Sequence, residues 1–453
     1  QENAFVYDDC GIAGLVEISR SCRIPLSRAS RSTIGTSMNS LQMYTAYHDG
    51  FLIPWQKDTP EDFKTVNELL IADRGGFVFE PPTGIHEKVG ELDFSGLYPM
   101  LMYSRNISPE TIHCNCCPDS LERVPELNYN ICNRKTGIVS KSLAILLTKR
   151  QAYKQLAKTS NNTSSRDDYK KRSDALKWIL VCSFGYLGFK NARFGKIDAH
   201  ISVCAFSRDV LSLTEKFVGE RGYKLLHGIV DSTWLKNENA ISNEYEMLAR
   251  DLEGYFGLPI SFESIYRWIV FLPSKVYPNR PVLNRYYGVF SDGQLKVRGI
   301  AIRRHDTSKI VQNLQTEVLE LLGRAKNCQE FKELLPDALK IFYCHTDHVR
   351  SGGIPSEDLL VRKNLSKDPF QYSHRVPQAL AAKQLKDHGF EVSGGQTVSY
   401  ILLDRKNVVA QKLADEHVEY DTESYVSLLI DGFSELLSPF GFEKKGEWSQ
   451  GDC

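Results

Sequence analysis

The sequence predicts an α+β fold, and three observations carry that expectation. Two short apolar strands each deliver one isolated carboxylate, Asp93 and Asp231. Between them lie two helical stretches joined by a polar turn, the pattern of an antiparallel helical hairpin. From about Arg303 onward apolar residues recur with helical period, as in Ile310 to Leu322 and Tyr425 to Leu437. The chain has 453 residues, enough for about two to four domains. With 42% hydrophobic and 25% charged residues its composition is that of a packed globular protein, not a disordered one. It contains no run of eighteen apolar residues, so no membrane-spanning helix is expected. No basic-then-apolar leader opens it, and a cytoplasmic location is expected. The chain begins at Gln1, not Met, as expected of a fragment or a trimmed chain.

A formal net charge of zero argues against a nucleic-acid binder. Between Lys141 and His200, however, 13 Lys/Arg face 4 Asp/Glu, a net of +9. A solvated helical face could produce this, but a phosphate-facing surface explains it better.

Residues 1 to about 85 read as mixed, with loop chemistry from Pro25 to Ser40 and helical periodicity from Met38 to Leu52. Arg74-Gly-Gly-Phe-Val78 reads as a turn entering a strand, followed by a Pro-Pro-Thr-Gly loop. The strand Val89 to Phe94 then delivers Asp93 and breaks into a helix near Gly96, a junction suited to holding a divalent metal over a cleft. Four of eleven cysteines follow closely, Cys114, Cys116, Cys117 and Cys132, with His113 adjacent. The C-x-x-C spacing of Cys114 and Cys117 suits a zinc knuckle, yet no second such pair follows, and small buried cysteines remain an equal reading.

Ser140 is expected to cap a helix reaching about Lys158, with Arg150 and Lys154 on one face. Asn161-Asn-Thr-Ser-Ser165 forms the polar turn, and a second helix runs from about Arg166 to Ser183 with Lys177 on it. Gly185-Tyr-Leu-Gly188 ends the hairpin, and a further helix is expected from Asp198 to Glu220. Lys224 to Leu235 is strand-like on both sides of a tight turn that presents Asp231. Tyr286 to Val289 and Gln294 to Gly299 form a hairpin through Ser291-Asp-Gly293.

Taken in this order, the elements resemble the family B DNA polymerases. Gly75-Gly-Phe-Val-Phe-Glu-Pro81 is similar to the segment entering the family's first catalytic motif, and Asp93-Phe-Ser-Gly-Leu-Tyr-Pro99 resembles that motif. Leu147-Thr-Lys-Arg-Gln-Ala-Tyr-Lys154 resembles the first fingers helix, and Lys177 through Gly188 the second fingers motif. His227-Gly-Ile-Val-Asp-Ser232 falls where the family has Y-G-D-T-D-S. Arg285-Tyr-Tyr-Gly288, Lys296-Val-Arg-Gly299 and Gly394 to Leu403 resemble the continuation from palm to thumb. Within the family, Arg303-Arg-His-Asp-Thr307 and the cysteine loop look most like the archaeal B2-type subgroup.

The resemblance implies a right-hand architecture with an antiparallel-sheet palm, helical-hairpin fingers and a mainly helical thumb. Its expected boundaries are an N-terminal segment leading into the palm (1–54), the first part of the palm with the cysteine-bearing loop (55–140), fingers (141–190), the second part of the palm (191–302) and thumb (303–453). It implies a template-directed DNA polymerase of replication or repair that adds dNTPs to a primer by two-metal chemistry with two Mg²⁺ ions. Asp93, Asp231 and the Phe94 carbonyl would hold the metals. Arg150, Lys154 and Lys177 would hold the triphosphate, and Lys177 would protonate the leaving pyrophosphate. Ser95, Gly96 and Leu97 would complete the nucleotide site, and Tyr98 would reject a 2′-hydroxyl. Arg285, Tyr286 and Phe184 would contact the primer–template. A sliding clamp or other replication proteins are expected as partners.

The chain also departs from the family pattern. Ile229 and Val230 replace the first Asp and the Thr of Y-G-D-T-D-S, and two β-branched residues are poor turn formers, so a local change in the hairpin is expected. Val181 and Cys182 replace the fingers Asn and Ser, and Asn284 stands at the Lys of K-x-Y. No acidic exonuclease motifs precede Asp93, so synthesis without proofreading is expected, and with the looser pocket, translesion extension. The competing expectation is a catalytically degenerate relative acting as a DNA-binding accessory or structural subunit. A zinc-dependent nucleic-acid-binding module resting on His113 to Cys132 is a third.

Overall fold

The computed structural model describes residues 2–57, 60–72 and 74–442. The described residues form two compact units, one made of those up to 79, 92–233 and 243–262, the other of 80–91, 234–242 and 263–442.

The first unit opens with helices α1 (Glu2–Cys22), α2 (Leu26–Ala29), α3 (Ile34–His48) and α4 (Val66–Ala72). Strands β1 (Val78–Phe79) and β2 (Gly84–Phe94, whose last residues lie here) lead to α5 (Leu97–Ser104). The long pair α6 (Ile138–Thr159) and α7 (Thr163–Gly188) follows, then α8 (Ile197–Gly219). The unit closes with the hairpin β3 (Lys224–Ile229) and β4 (Ser232–Lys236), which begins here, and with α9 (Ser242–Phe256). The helical hairpin has a local cause. Asn162 accepts the N–H groups of Ser164 and Ser165 and starts α7, so only three residues separate it from α6. Ile138, Leu143 and Leu146 of α6 and Leu176, Ile179 and Leu180 of α7 supply the buried face. Helix α1 lies along α7 where Gly14 leaves room: a Cβ there would stand 3.1 Å from that of Ala175 and 3.3 Å from the Lys171 carbonyl oxygen.

Three expectations are corrected in this unit. The Ser- and Thr-rich stretch after Pro25 is largely helix, in α2 and the start of α3, with hydroxyls that fold back on nearby backbone carbonyls. Ser30 Oγ donates to the Ser27 carbonyl at 3.1 Å and Ser32 Oγ to the Arg28 carbonyl at 2.6 Å. Helix α3 ends at His48, short of Leu52, where Gly50 takes φ 64°. Ser140 does not cap α6. Gly137 stands at the cap, while Ser140 is buried one turn inside and donates to the Met102 carbonyl at 2.8 Å.

The second unit contains most of β5 (Ile260–Pro273), then β6 (Pro281–Phe290) and β7 (Leu295–Arg298). After them come α10 (Lys309–Leu322), α11 (Cys328–Glu333), α12 (Leu335–Ser351), α13 (Ser356–Leu359), β8 (Val361–Asn364), α14 (Pro377–Asp387), β9 (Thr397–Leu402), β10 (Val408–Ala410) and α15 (Thr422–Leu437). Strands β6 and β7 pair antiparallel with Val289 opposite Leu295, and Gly293 takes φ 91° in the turn between them. The helical period expected after residue 303 builds the core, with Leu314, Val318, Phe342 and Phe433 packed from α10, α12 and α15. Strands β8, β9 and β10 form their own antiparallel sheet. The α+β expectation therefore holds.

Strands β1 to β7 are ordered β1-β3-β4-β2-β5-β6-β7. This order places β4 beside β2, and with it Asp231 beside Asp93.

Candidate active site

Asp93 is the penultimate residue of β2, and Asp231 sits with Val230 in the β3–β4 corner. The Phe94 N–H donates to the Asp231 carbonyl at 2.7 Å, which ties the two strand ends together. Ser232 Oγ donates to Asp93 Oδ1 at 2.9 Å and orients that carboxylate. The Ser95 N–H is held by the Pro259 carbonyl at 2.9 Å. The β3–β4 hairpin forms despite Ile229 and Val230, at a local cost. Ile229 stays in the sheet opposite Val78, and Val230 turns the corner at φ 54°, a region that β-branched residues avoid. Burial pushes the Asp231 carboxyl up, the negative charge of Asp93 adds to this, and Lys177 opposes it; the outcome is about 6.

Helices α6 and α7 bring three cations to the same place. Burial, and then repulsion from Arg150, Lys158 and Lys177, lower the Lys154 ammonium, while Asp93 acts in the opposite sense. Burial also lowers Arg150, whose buried Nε has no hydrogen-bond partner among the described residues. Other basic residues of the stretch serve the fold. Lys149 and Arg172 hold the buried Glu17 at 3.0 and 3.1 Å, and Lys141 pairs with Asp49 at 2.5 Å.

Helix α5 begins at Gly96, in the left-handed region at φ 70°, with no side-chain cap on its first amides. Leu97 is buried, and Tyr98 packs its ring on Phe184 at 4.3 Å. Phe184 in turn stacks on His200 at 4.1 Å. Gly76 allows the Tyr98 hydroxyl to come close: a Cβ at residue 76 would lie 3.0 Å from it. Tyr98, Phe184, His200 and Gly76 thus form one wall beside the carboxylates.

The family model for DNA polymerase family B matches residues 24–439. The chain belongs to DNA polymerase family B. It is 29% identical over 324 residues to DNA polymerase 2 of Saccharolobus solfataricus, covering 71% of this chain and 47% of that protein. It is 26% identical to a DNA polymerase of Pyrococcus glycovorans, covering 94% of this chain and 54% of the relative. Its fold is similar to that of the family B DNA polymerase from Pyrobaculum calidifontis, with TM-score 0.69 and 24% identity over 95% of this chain and 54% of the other. The chain thus spans about half the length of these relatives.

In this family B chain the remaining expected residues are placed differently. Arg285 is turned into an ion pair with the buried Glu435 and donates to the Gly299 carbonyl at 3.2 Å. Tyr286 is buried, its ring against Trp234 at 5.2 Å. Tyr286 is thus buried within the second unit, and Arg285 is half-buried there with its guanidinium engaged by Glu435. Lys296, from the Lys-Val-Arg-Gly stretch, is held by Glu91 at 2.7 and 2.8 Å. Cys114, Cys116, Cys117 and Cys132 come together with their sulfurs within 4.8 Å of one another. His113 lies apart, with Nδ1 2.9 Å from Asp62 and its ring stacked on Tyr129.

Two supporting residues escaped the sequence reading. Arg208 pairs with Glu126 at 2.5 Å and donates to the Gly75 carbonyl at 2.6 Å, fixing the glycine turn beside Tyr98. His200 backs Phe184, with Nδ1 3.1 Å from the Phe184 carbonyl. Neither has a local sequence signal, since each acts across more than one element. No helix among the described residues is long and apolar enough to cross a membrane.

Proposed function

We propose that this chain carries the nucleotidyl-transfer site of a template-directed DNA polymerase, with primer–template DNA and dNTPs as substrates. The observation that carries this reading is the pairing of Asp93 and Asp231 beside Arg150, Lys154 and Lys177. The residues fit the divalent ions such chemistry uses: the Asp231 carboxyl, buried next to a second negative charge, is raised to about 6, and a cation relieves that repulsion. Asp93, Asp231 and the Phe94 carbonyl would hold two Mg²⁺ ions. When bound, they would make the primer 3′-hydroxyl more acidic and neutralise the leaving pyrophosphate.

The chain's own groups do the rest. The uncapped first amides of α5, at Gly96 and Leu97, offer N–H donors to an anion. Arg150 brings a buried donor with its hydrogen bond still to be made. Lys154 and Lys177 stabilise negative charge as it develops on the pyrophosphate, and Lys177 delivers its proton to the leaving oxygen. Tyr98, backed by Phe184, places a ring where a 2′-hydroxyl would collide. We assign palm to the Asp93 and Asp231 strands, fingers to α6 and α7, and thumb to the helices after residue 303.

Val181, 57% exposed one turn beyond Lys177, leaves an apolar surface where the family pattern has Asn, and we propose that it loosens the pocket enough for translesion extension. Primer extension with dNTPs and Mg²⁺ on undamaged and abasic templates tests both ideas, with Asp231→Ala as control. Extension by the unchanged chain that disappears in the variant supports catalysis. Binding of primer–template without extension supports the degenerate-subunit reading, which Ile229 and Val230 favour. Equal refusal of every abasic template would remove the lesion proposal.

A further inference from the structure

We propose that Cys114, Cys116, Cys117 and Cys132 form a structural zinc site that locks the loop between α5 and α6 and thereby fixes the start of α6. The site is separate from the nucleotidyl-transfer residues and does not depend on their assignment.

The sulfur geometry is that of a single-ion site. Sγ–Sγ separations are 3.1 Å for Cys114–Cys117, 3.6 Å for Cys116–Cys117 and 3.5 Å for Cys116–Cys132. Four thiolates around one zinc at about 2.3 Å stand about 3.8 Å apart, and two such bonds end to end span at most about 4.6 Å. The four sulfurs, all within 4.8 Å of one another, fit that cage with small adjustments. An iron–sulfur cluster would place several atoms between its thiolates and spread them further. The separations are also far longer than a disulfide bond, and all four cysteines are free. Cys117 and Cys132 are buried while Cys116 is exposed, which gives the ion a path from solvent.

The surroundings supply donors to charged sulfur. Asn130 Nδ2 donates to Cys114 Sγ at 3.4 Å and to the Cys114 and Cys117 carbonyls at 2.9 Å each. Such donors hold thiolates in place around a metal. His113 is committed to Asp62, so the donor set is four sulfurs. Binding Zn²⁺ displaces the thiol protons to solvent.

The loop needs such a staple. Between Ser104 and Ile138 its ladder pairing is confined to the isolated bridges Ile112–Ile131 and Arg123–Asn130, among the described residues. A loop this long without its own secondary structure is uncommon in a compact domain. Yet it supplies the acceptors for the N–H groups of residues 137–140 at the start of α6. Asn106 donates to the Cys132 carbonyl at 3.0 Å and accepts from the Gly137 N–H at 2.8 Å. Glu110 accepts from the Ile138 N–H at 2.5 Å, and Ser108 Oγ from the Val139 and Ser140 N–H groups at 3.1 and 3.3 Å. The thiol cluster is thus one side chain away from the cap of the helix that carries Arg150 and Lys154.

The test is metal analysis of the full chain purified without chelator, followed by stripping and titration with Co²⁺ under reducing conditions. One zinc per chain is expected, and Co²⁺ should produce the intense visible absorption of tetrahedral thiolate coordination. Cys114→Ser and Cys132→Ser should lose the zinc, while Cys344→Ser, at an exposed cysteine outside the cluster, should keep it. Stripping should speed amide hydrogen exchange at residues 137–141 severalfold. Absence of zinc together with no Co²⁺ spectrum overturns the proposal, as does iron with inorganic sulfide, or a mass showing a disulfide within the cluster. The measurements on the unchanged chain decide the question even where the serine variants fail to fold.

Discussion

Asp231 has a cost in the metal-free protein that can be measured. Its folded pKa of about 6 lies above the usual carboxylate value of 3.8, so between these limits the folded chain binds more protons than the unfolded one. Stability contributed at this residue is therefore present at low pH and falls as pH rises from about 4 to 6. Asp231→Asn should be more stable than the unchanged metal-free chain by about 1–3 kcal/mol at neutral pH, with no gain near pH 3.5, where both side chains are uncharged. Urea denaturation at the two pH values checks this, and equal stability at neutral pH would refute it. Because a bound cation opposes protonation of Asp231, the acid limb of primer extension should move to lower pH as Mg²⁺ is raised, and a limb independent of Mg²⁺ would refute the metal role of Asp231. Val230 is a second residue-scale cost. With φ at 54°, Val230→Asn should raise stability by about 1 kcal/mol, since asparagine tolerates this region. A lower Tm for that variant would show that the valine packs usefully at the corner.

At the scale of elements, the helical hairpin is held at one end by a cap and along its side by a buried charge. Asn162→Ala should cost about 1 kcal/mol by freeing the first amides of α7. Glu17 of α1 is fully buried and accepts from Tyr153 at 2.6 Å, Ser21 at 2.7 Å, Lys149 and Arg172. Burial pushes its carboxyl up, but the hydrogen bonds from Tyr153, Ser21 and Lys149 outweigh this and lower it. Its contribution is therefore present at neutral pH and lost as the medium turns acidic through the folded pKa. Glu17→Ala strands two cations and should cost about 3–5 kcal/mol, read as a lower urea midpoint. The hairpin itself was legible, because helical period and a polar turn are local signals. Helix α1 and the first turn of α3 were not, because their stability comes from packing on α6 and α7 and not from their own composition, whereas the helical period from Met38 onward was legible. Ser140 shows the same limit at one position: a capping residue type sits one turn too late, and the loop caps the helix instead.

For the whole molecule, each compact unit has its own buried charge. In the second unit Glu435 accepts from the Ala301 N–H at 2.6 Å and Gln315 Nε2 at 3.1 Å, with Lys275 at 3.3 Å and Arg285 beside it. Burial raises its carboxyl, while Lys275 and Arg285 lead the groups that bring it below the usual value. Glu435→Ala should destabilise this unit by about 3–5 kcal/mol, seen as loss of amide protection in α10 and α15. The same network engages the half-buried Arg285 guanidinium through Glu435.

The sequence by itself determined the α+β class, the order of the elements, the two strand-end carboxylates and the basic character of the helical hairpin, because strand alternation, helical period and turn residues are written within a few positions of where they act. Only the tertiary structure decided that β4 lies beside β2, bringing residues 138 positions apart into repulsion, and that Arg150 is buried with an unmade hydrogen bond. It also decided that the thiols of Cys114, Cys116, Cys117 and Cys132 converge on one point and that Tyr286 is buried. Strand order, burial and the choice among charged partners depend on contacts between distant segments, and no local pattern encodes them.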